Sequence, residues 1–260
     1  MRYTDLIFDL YGTLVDIHTE ENDAMWEKTA LFFCYHGAHY TGPTLRRDFY
    51  KILTKEQSIE RYGPSKYPDF PYDQVMSRLF LNRGVTWQTR ILGFQATEIL
   101  RILSTDYIRL YPYVTEALSD LKKAGCRLWL LTNAQRTSTI CELRHLGLLH
   151  TFKGTYISSD HCCRKPDSRF FRALLDEQKL CPQQCLMIGN DRETDIDGAK
   201  ALGLDTLFLH TRQTPSHQAA ADPALAPGKA AATTHHYEFE GADWAALTPH
   251  LLALCRGEEE

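Results

Sequence analysis

Asp9 stands at the end of the short apolar run Leu6-Ile7-Phe8 and opens the stretch Asp9-Leu10-Tyr11-Gly12-Thr13-Leu14-Val15-Asp16. A carboxylate set there can act as a nucleophile, splitting a hydrolysis into formation and breakdown of an aspartyl intermediate. Three further stretches carry groups that would serve it. Thr132-Asn133 ends the run Arg127 to Leu131, Arg164-Lys165-Pro166-Asp167 comes after Thr155 to Ile157, and Gly189-Asn190-Asp191-Arg192-Glu193-Thr194-Asp195 follows Cys185 to Ile188. A Thr132 hydroxyl and a Lys165 ammonium can meet the anionic oxygens of a substrate, and Lys165 can also hold Asp9 ionised and oriented. Taken singly, Asp9 reads as a turn or helix-cap acid and Lys165 as a solvated loop lysine. Their occurrence together outweighs those readings if one sheet edge collects them.

The elements that must collect them alternate. The runs Leu6–Phe8, Arg127–Leu131, Thr155–Ile157, Cys185–Ile188 and Thr206–Leu209 read as buried strands. Between the later four lie helical stripes: Ile140, Leu143 and Leu146; Phe170, Phe171, Leu174 and Leu175; Ile196, Ala199 and Leu202. A further stripe of Val114, Ala117, Leu118 and Leu121 lies between Pro112 and Gly125. Strand and helix alternating over this length predict an α/β fold, a Rossmann-like three-layer core whose parallel sheet is covered on both faces. In such a sheet ligands sit beyond the carboxyl ends of the strands, where the four polar stretches fall.

The first crossover is far too long for this rhythm. A βαβ connection needs only about 10–12 residues beyond its strands, whereas the segment from Asp16 to about Asp106 intervenes before the helix at Pro112. It holds four amphipathic stretches, three around Met25 to Phe33, Leu45 to Leu53 and Val75 to Phe80 and one with Ile91, Phe94 and the run Ile99 to Leu103 as its apolar residues, and no strand signal of similar strength. The expectation is a core of residues 1–15 and 108–260 with a helical-bundle cap of residues 16–107. Past Leu209, residues 211–234 are rich in Ala, Pro, Thr and Gln and read as a surface loop. His236–Glu240 reads as a short edge strand and Ala242–Cys255 as a last helix.

Composition excludes several classes of function. Lys plus Arg number 29 against 33 Asp plus Glu, a net charge of −4, so no polyanion-binding surface is implied and no nucleic-acid partner is expected. No apolar run is long enough to cross a bilayer, and Asp5 and Asp9 interrupt the start where a signal peptide would be apolar, so the expected setting is cytoplasmic. The eight cysteines show no CxxC spacing and read as reduced thiols. His36 with His39, and His235-His236, lack a third partner at metal-ligand spacing. In the inserted segment, Arg46, Arg47, Lys51, Arg61 and Lys66 are interleaved with Tyr62, Tyr67, Phe70 and Tyr72; they read first as solvated charges over a bundle core, and second as a pocket for an anionic or ring-bearing substrate.

The four stretches, in this order and at strand ends, resemble the motifs of the haloacid dehalogenase superfamily of hydrolases, and the long insertion falls where that family places a helical cap of the C1 type. The resemblance runs from Leu6 to Leu209. It implies Asp9 as nucleophile, with Tyr11, Thr132, Asn133 and Lys165 as the other catalytic positions. With Asp9, Asp191 and Asp195 facing one ammonium, a phosphate ester bringing about 1.5–2 more negative charges requires a divalent cation. Mg²⁺ suits hard oxygen ligands; the expected set is Asp9, the Tyr11 main-chain carbonyl, Asp191 and Asp195, with Asn190 standing where one form of the family's acidic motif has its acid.

Tyr11 departs from the family's phosphatases, which usually carry there an Asp serving as general acid and base; its 2-haloacid dehalogenases usually carry Tyr. A phenol with a pKa near 10 is a poor base at neutral pH, and a halide leaves without a proton, so Tyr11 suits a metal-independent dehalogenase. The acidic turn favours phosphoryl chemistry, because two acids facing an anionic substrate repel it without a cation. The expectation is therefore a Mg²⁺-dependent phosphatase acting on a small phosphorylated metabolite. The alternatives are a 2-haloacid dehalogenase or a binding protein on the same scaffold with little turnover.

Overall fold

A computed structural model describes residues 1–59, 65–213 and 234–258. The chain begins with β1 (Asp5–Phe8) and β2 (Val15–Thr19), then runs through four helices, α1 (Asp23–Tyr35), α2 (Gly42–Gln57), α3 (Tyr72–Asn82) and α4 (Thr89–Ser104). It returns through β3 (Thr105–Leu110) to α5 (Val114–Lys123), β4 (Arg127–Thr132), α6 (Arg136–His145), β5 (Gly154–Ile157), the short α7 (Ser158–His161) and α8 (Ser168–Glu177). Then come β6 (Cys185–Gly189), a turn over Arg192–Asp197, α9 (Gly198–Lys200), β7 (Asp205–His210), β8 (His236–Glu240) and α10 (Trp244–Arg256).

The main sheet is parallel throughout, in the order β5-β4-β1-β6-β7-β8. β1 lies at its centre because Leu6, Ile7 and Phe8 are fully buried and alternate between faces. Leu6 and Phe8 join Leu128, Leu130 and Ile188 in the layer under α5 and α10, while Ile7 joins Trp129, Leu131 and Met187 under α8. The chain lays β4 and β5 on one side of β1 and β6, β7 and β8 on the other. This is the switch point where an open sheet leaves a crevice, and Asp9 follows directly at the end of β1.

The inserted helices have a separate apolar core in which Trp26, Phe33, Phe49, Val75, Leu79 and Phe80 are buried. Two features depart from the sequence reading. The bundle is joined to the sheet by an antiparallel ribbon of β2 and β3, pairing Asp16 with Arg109 and His18 with Tyr107, and no strand of it enters the main sheet. Its strands are short and largely exposed, so they carry little apolar pattern. In α4 the buried face is Leu92, Gly93, Ala96 and Thr97, while Ile91 and Phe94 are exposed. The cause is close approach to α3: a Cβ on Gly93 would lie 2.2 Å from Ser77 Oγ and 2.4 Å from the Asp73 carbonyl oxygen. Most of the loop expected over residues 211–234 falls outside the described residues.

Candidate active site

Three strand ends and one loop converge. The Asp9 N–H donates to the Ile188 carbonyl, 3.0 Å, which extends the β1–β6 pairing by one residue and delivers the carboxylate just beyond the sheet. Lys165 comes from the loop after α7, and its side chain is 1% exposed. Its ammonium donates to Asp9 Oδ1 at 2.7 Å and to Asp195 Oδ1 at 2.6 Å. Burial alone would lower the Lys165 ammonium, but the charges of Asp195 and Asp9 outweigh it and hold the group above its ordinary value. Burial pushes the Asp195 carboxyl up to about 7 against the pull of Lys165, and the charge of Asp9 adds to the rise.

Asp195 can be this deep because Gly189 lacks a side chain: a Cβ there would meet Asp195 Oδ2 at 2.2 Å. Both Asp195 oxygens are engaged, Oδ1 by Lys165 and Oδ2 by the Asp191 N–H at 3.0 Å. The turn over Arg192–Asp197 is wound in part as a π-turn, the Ile196 N–H reaching the Asp191 carbonyl at 3.3 Å, rather than continuing the regular helix that the Ile196 stripe suggests. Asp191 caps this turn by accepting from the Thr194 N–H through Oδ1, 3.0 Å, and is half-buried. Its second oxygen has no hydrogen bond among the described residues.

Asn133 clamps the lysine loop from β4. Its Oδ1 accepts from the Lys165 N–H at 2.8 Å, and its Nδ2 donates to the Lys165 carbonyl at 3.0 Å. The preceding Thr132 hydroxyl is fully buried and finds no partner among the described residues, a state that normally costs about 1–3 kcal/mol. Thr13, not singled out from the sequence, donates to Asn190 Oδ1 at 3.2 Å and at longer range, 3.4 Å, to Asp9 Oδ2. Asp9, Tyr11, Lys165, Asn190, Asp191 and Asp195 share the wall of one cavity of about 190 Å³. Thus the expected site residues on four chain segments meet at one place, with Thr132 beside them at the end of β4.

The Tyr11 hydroxyl is bonded to groups on α6 rather than to Asp9, Lys165 or Asp195. It donates to Glu142 Oε2 of α6 and lies 3.2 Å from Thr139 Oγ1. Arg101 of α4 grips the same Glu142 with Nε at 2.6 Å and Nη2 at 3.2 Å, its guanidinium lying 5.3 Å from the centre of the Tyr11 ring. Burial, then the Glu142 charge, push the phenol far above its ordinary value. Glu142 and Arg101 are absent from the sequence reading because neither belongs to a motif; they are single charges on helices forty-one residues apart.

Tyr11 and Asn133 also border a larger cavity of about 460 Å³ between the inserted helices and the core. The segment before α3 is tied to the core by hydrogen bonds. There the Arg164 N–H donates to the Tyr67 carbonyl at 3.0 Å, and the Asp69 N–H to the Cys162 carbonyl at 3.2 Å. Asp69 accepts from Ser158 Oγ at 2.6 Å and from Gln135 Nε2 at 3.1 Å, while Gln135 Oε1 accepts from the Tyr72 N–H at 2.8 Å. Of the aromatics and cations considered in the insertion, Tyr72 borders the cavity, Phe70 is in the bundle core, and Arg46 pairs with Glu21 and Asp23. Arg61 and Tyr62 lie outside the described residues.

The family model for haloacid dehalogenase-like hydrolases matches residues 6–203, and the chain belongs to that family of hydrolases. It is 25% identical over 210 residues to a glyceraldehyde 3-phosphate phosphatase of Pyrococcus furiosus, covering 80% of this chain and 81% of that one. It is 31% identical over 155 residues to a phosphoglycolate phosphatase of Mesorhizobium japonicum, covering 56% and 68%. Among solved structures, a 2-haloacid dehalogenase from Pseudomonas syringae pv. Tomato DC3000 superposes with a TM-score of 0.64 over 97% of this chain and 99% of that one, at 19% identity, a likeness of fold. No described helix is long and apolar enough to cross a membrane.

Proposed function

We propose that this hydrolase is a Mg²⁺-dependent phosphomonoesterase, acting on a small anionic phosphorylated metabolite with Asp9 as the nucleophile. The observation that carries the reading is the pairing of Asp9 and Asp195 with the ammonium of Lys165, with Asp191 on the wall of the same cavity. The donors for the cation would be carboxylate oxygens of Asp9 and Asp191, with the Tyr11 main-chain carbonyl expected beside them, hard oxygens of the kind Mg²⁺ takes, while both Asp195 oxygens are already engaged. When bound, the ion supplies the positive charge that lets a phosphate approach three carboxylates.

Asp9 attacks phosphorus and the ester oxygen departs with its electron pair, taking a proton from solvent; water then attacks the phosphorus of the aspartyl phosphate, giving its proton to solvent as the bond to Asp9 breaks, which releases inorganic phosphate and free Asp9. Lys165 fixes the attacking carboxylate and faces the phosphoryl oxygens, and the Thr132 hydroxyl donates to one of them. Asn133 is a positioning residue, since it holds the Lys165 main chain on both sides. Asp195 buries and orients the ammonium, which leaves Asp191 with the freer oxygen for the cation. Tyr11, with its proton committed to Glu142, does not protonate the leaving group. The inserted helices form a cap that bounds the leaving-group space.

An assay of phosphate release from phosphomonoesters and halide release from 2-haloacids, each with and without EDTA, tests the reading. Phosphate release abolished by EDTA and restored by Mg²⁺ is expected. Halide release that survives chelation, without phosphate release, would replace it with the dehalogenase reading.

A further inference from the structure

The 460 Å³ cavity has a charge balance that names the kind of leaving group it accepts. Among the described residues on its wall the charged ones are Glu21 and Arg101, and each is matched by a neighbour. Arg101 is held by Glu142 through two hydrogen bonds, with Glu142 also receiving the Tyr11 hydroxyl. Glu21 accepts from Trp26 Nε1 at 2.9 Å and from the Tyr50 hydroxyl at 2.6 Å, and pairs with Arg46 at 3.2 Å. The rest of the wall is hydroxyl, amide and apolar surface, including Ser104, Ser138, Gln135, Met25 and Leu100. A second negative charge on the substrate would enter this space without a counter-charge, and burying an unpaired charge is strongly unfavourable.

We infer that the cavity selects phosphate esters of uncharged, hydroxyl-bearing alcohols and disfavours esters whose leaving group carries a carboxylate, with Glu142 as the specificity-determining residue because it neutralises Arg101. Cavities of about 300–1,000 Å³ hold whole drug-sized ligands, so the space suits an alcohol of sugar or nucleoside size better than a two-carbon acid. The inference rests on the phosphomonoesterase reading above and adds to it the class of alcohol. The role of Glu142 is indirect: it stands behind Arg101, and removing its charge converts a neutral wall into a cationic one without changing the wall's outline.

The test compares 2-hydroxyethyl phosphate with phosphoglycolate, a pair of similar size that differs by a carboxylate, with ribose 5-phosphate as the larger neutral ester and p-nitrophenyl phosphate as a general control. In the wild type, KM for phosphoglycolate should exceed that for 2-hydroxyethyl phosphate by about tenfold or more, the scale of an uncompensated charge in a partly buried site. Glu142→Gln should lower the ratio of KM for phosphoglycolate to KM for 2-hydroxyethyl phosphate several-fold, a change in ratio that a general loss of structure would not produce. Equal KM values in the wild type, or a preference for phosphoglycolate that Arg101→Met abolishes, would overturn the inference even if the Glu142 variant failed to fold. Absence of phosphate release from every ester, the nitrophenyl control included, would instead overturn the phosphomonoesterase reading and this inference with it.

Discussion

Asp69 offers a measurable handle on how firmly the inserted helices are docked. Its carboxylate accepts from Ser158 and Gln135 on the core side and from its neighbour's Phe70 N–H at 2.8 Å. Asp69→Ala removes both cross-domain acceptors, and a buried donor left unpaired costs about 1–3 kcal/mol. The losses are partly recoverable: Ser158 can turn to the Ala134 carbonyl at 3.2 Å, and Gln135 keeps the Phe70 carbonyl at 3.4 Å. The expected destabilisation is therefore about 2 kcal/mol, the lower part of that combined range. Asp69→Asn keeps an acceptor and discards the charge. Burial raises the Asp69 carboxyl above its ordinary value, and the hydrogen bonds it accepts only partly offset this. The folded protein consequently holds the Asp69 proton more tightly than the unfolded chain. Folding stability contributed by this group then falls as pH rises from the unfolded carboxylate value through the raised folded one. Asn does not titrate, so the Asn variant should gain on the wild type between pH 4 and neutrality. Urea titrations followed by circular dichroism at both pH values read the effect. An Ala variant within about 0.5 kcal/mol of wild type, the usual scatter of surface changes, would refute the docking argument, and an Asn variant that loses ground as pH rises would refute the charge argument.

Leaving-group dependence should expose the missing acid next to Asp9. Because the Tyr11 proton is committed to Glu142, turnover should rise steeply as the leaving group becomes more acidic, and Tyr11→Asp should speed alkyl phosphates more than aryl or acyl phosphates; a wild-type rate independent of leaving-group pKa would show that another group supplies the proton. Gly93→Ala should destabilise the protein by about 1–3 kcal/mol through overpacking at the α3–α4 contact, read as a lower thermal midpoint, whereas Gly84→Ala is at a site with open space around its Cβ and its cost should come from its positive φ alone.

Sequence made the site legible where residue type and position coincide. Asp9, Thr132, Lys165 and the Gly189–Asp195 stretch could be found because each follows a buried strand, and a parallel sheet brings strand ends together whatever the helices do. The β2–β3 ribbon was not legible, since its pairing joins residues more than eighty positions apart and its exposed strands need no apolar pattern. The buried face of α4 is hidden for a related reason: hydrophobicity favours Ile91 and Phe94, but the approach of α3 selects the small side of the helix at Gly93 and Ala96. Glu142 and Arg101 were invisible because an ion pair across two helices leaves no signature in spacing. Tyr11 stands out in the sequence as a candidate participant, and its partners show that its hydroxyl is engaged by Glu142.

The most direct test of the central claim is a rapid-quench single turnover in ¹⁸O-labelled water with an aryl phosphate and Mg²⁺, followed by mass spectrometry of the peptide containing Asp9. A transient phosphoryl adduct on that peptide, absent from Asp9→Asn, with the label ending in inorganic phosphate, is the predicted result. Label incorporated into the Asp9 carboxylate, or phosphate release undiminished in Asp9→Asn, would contradict it.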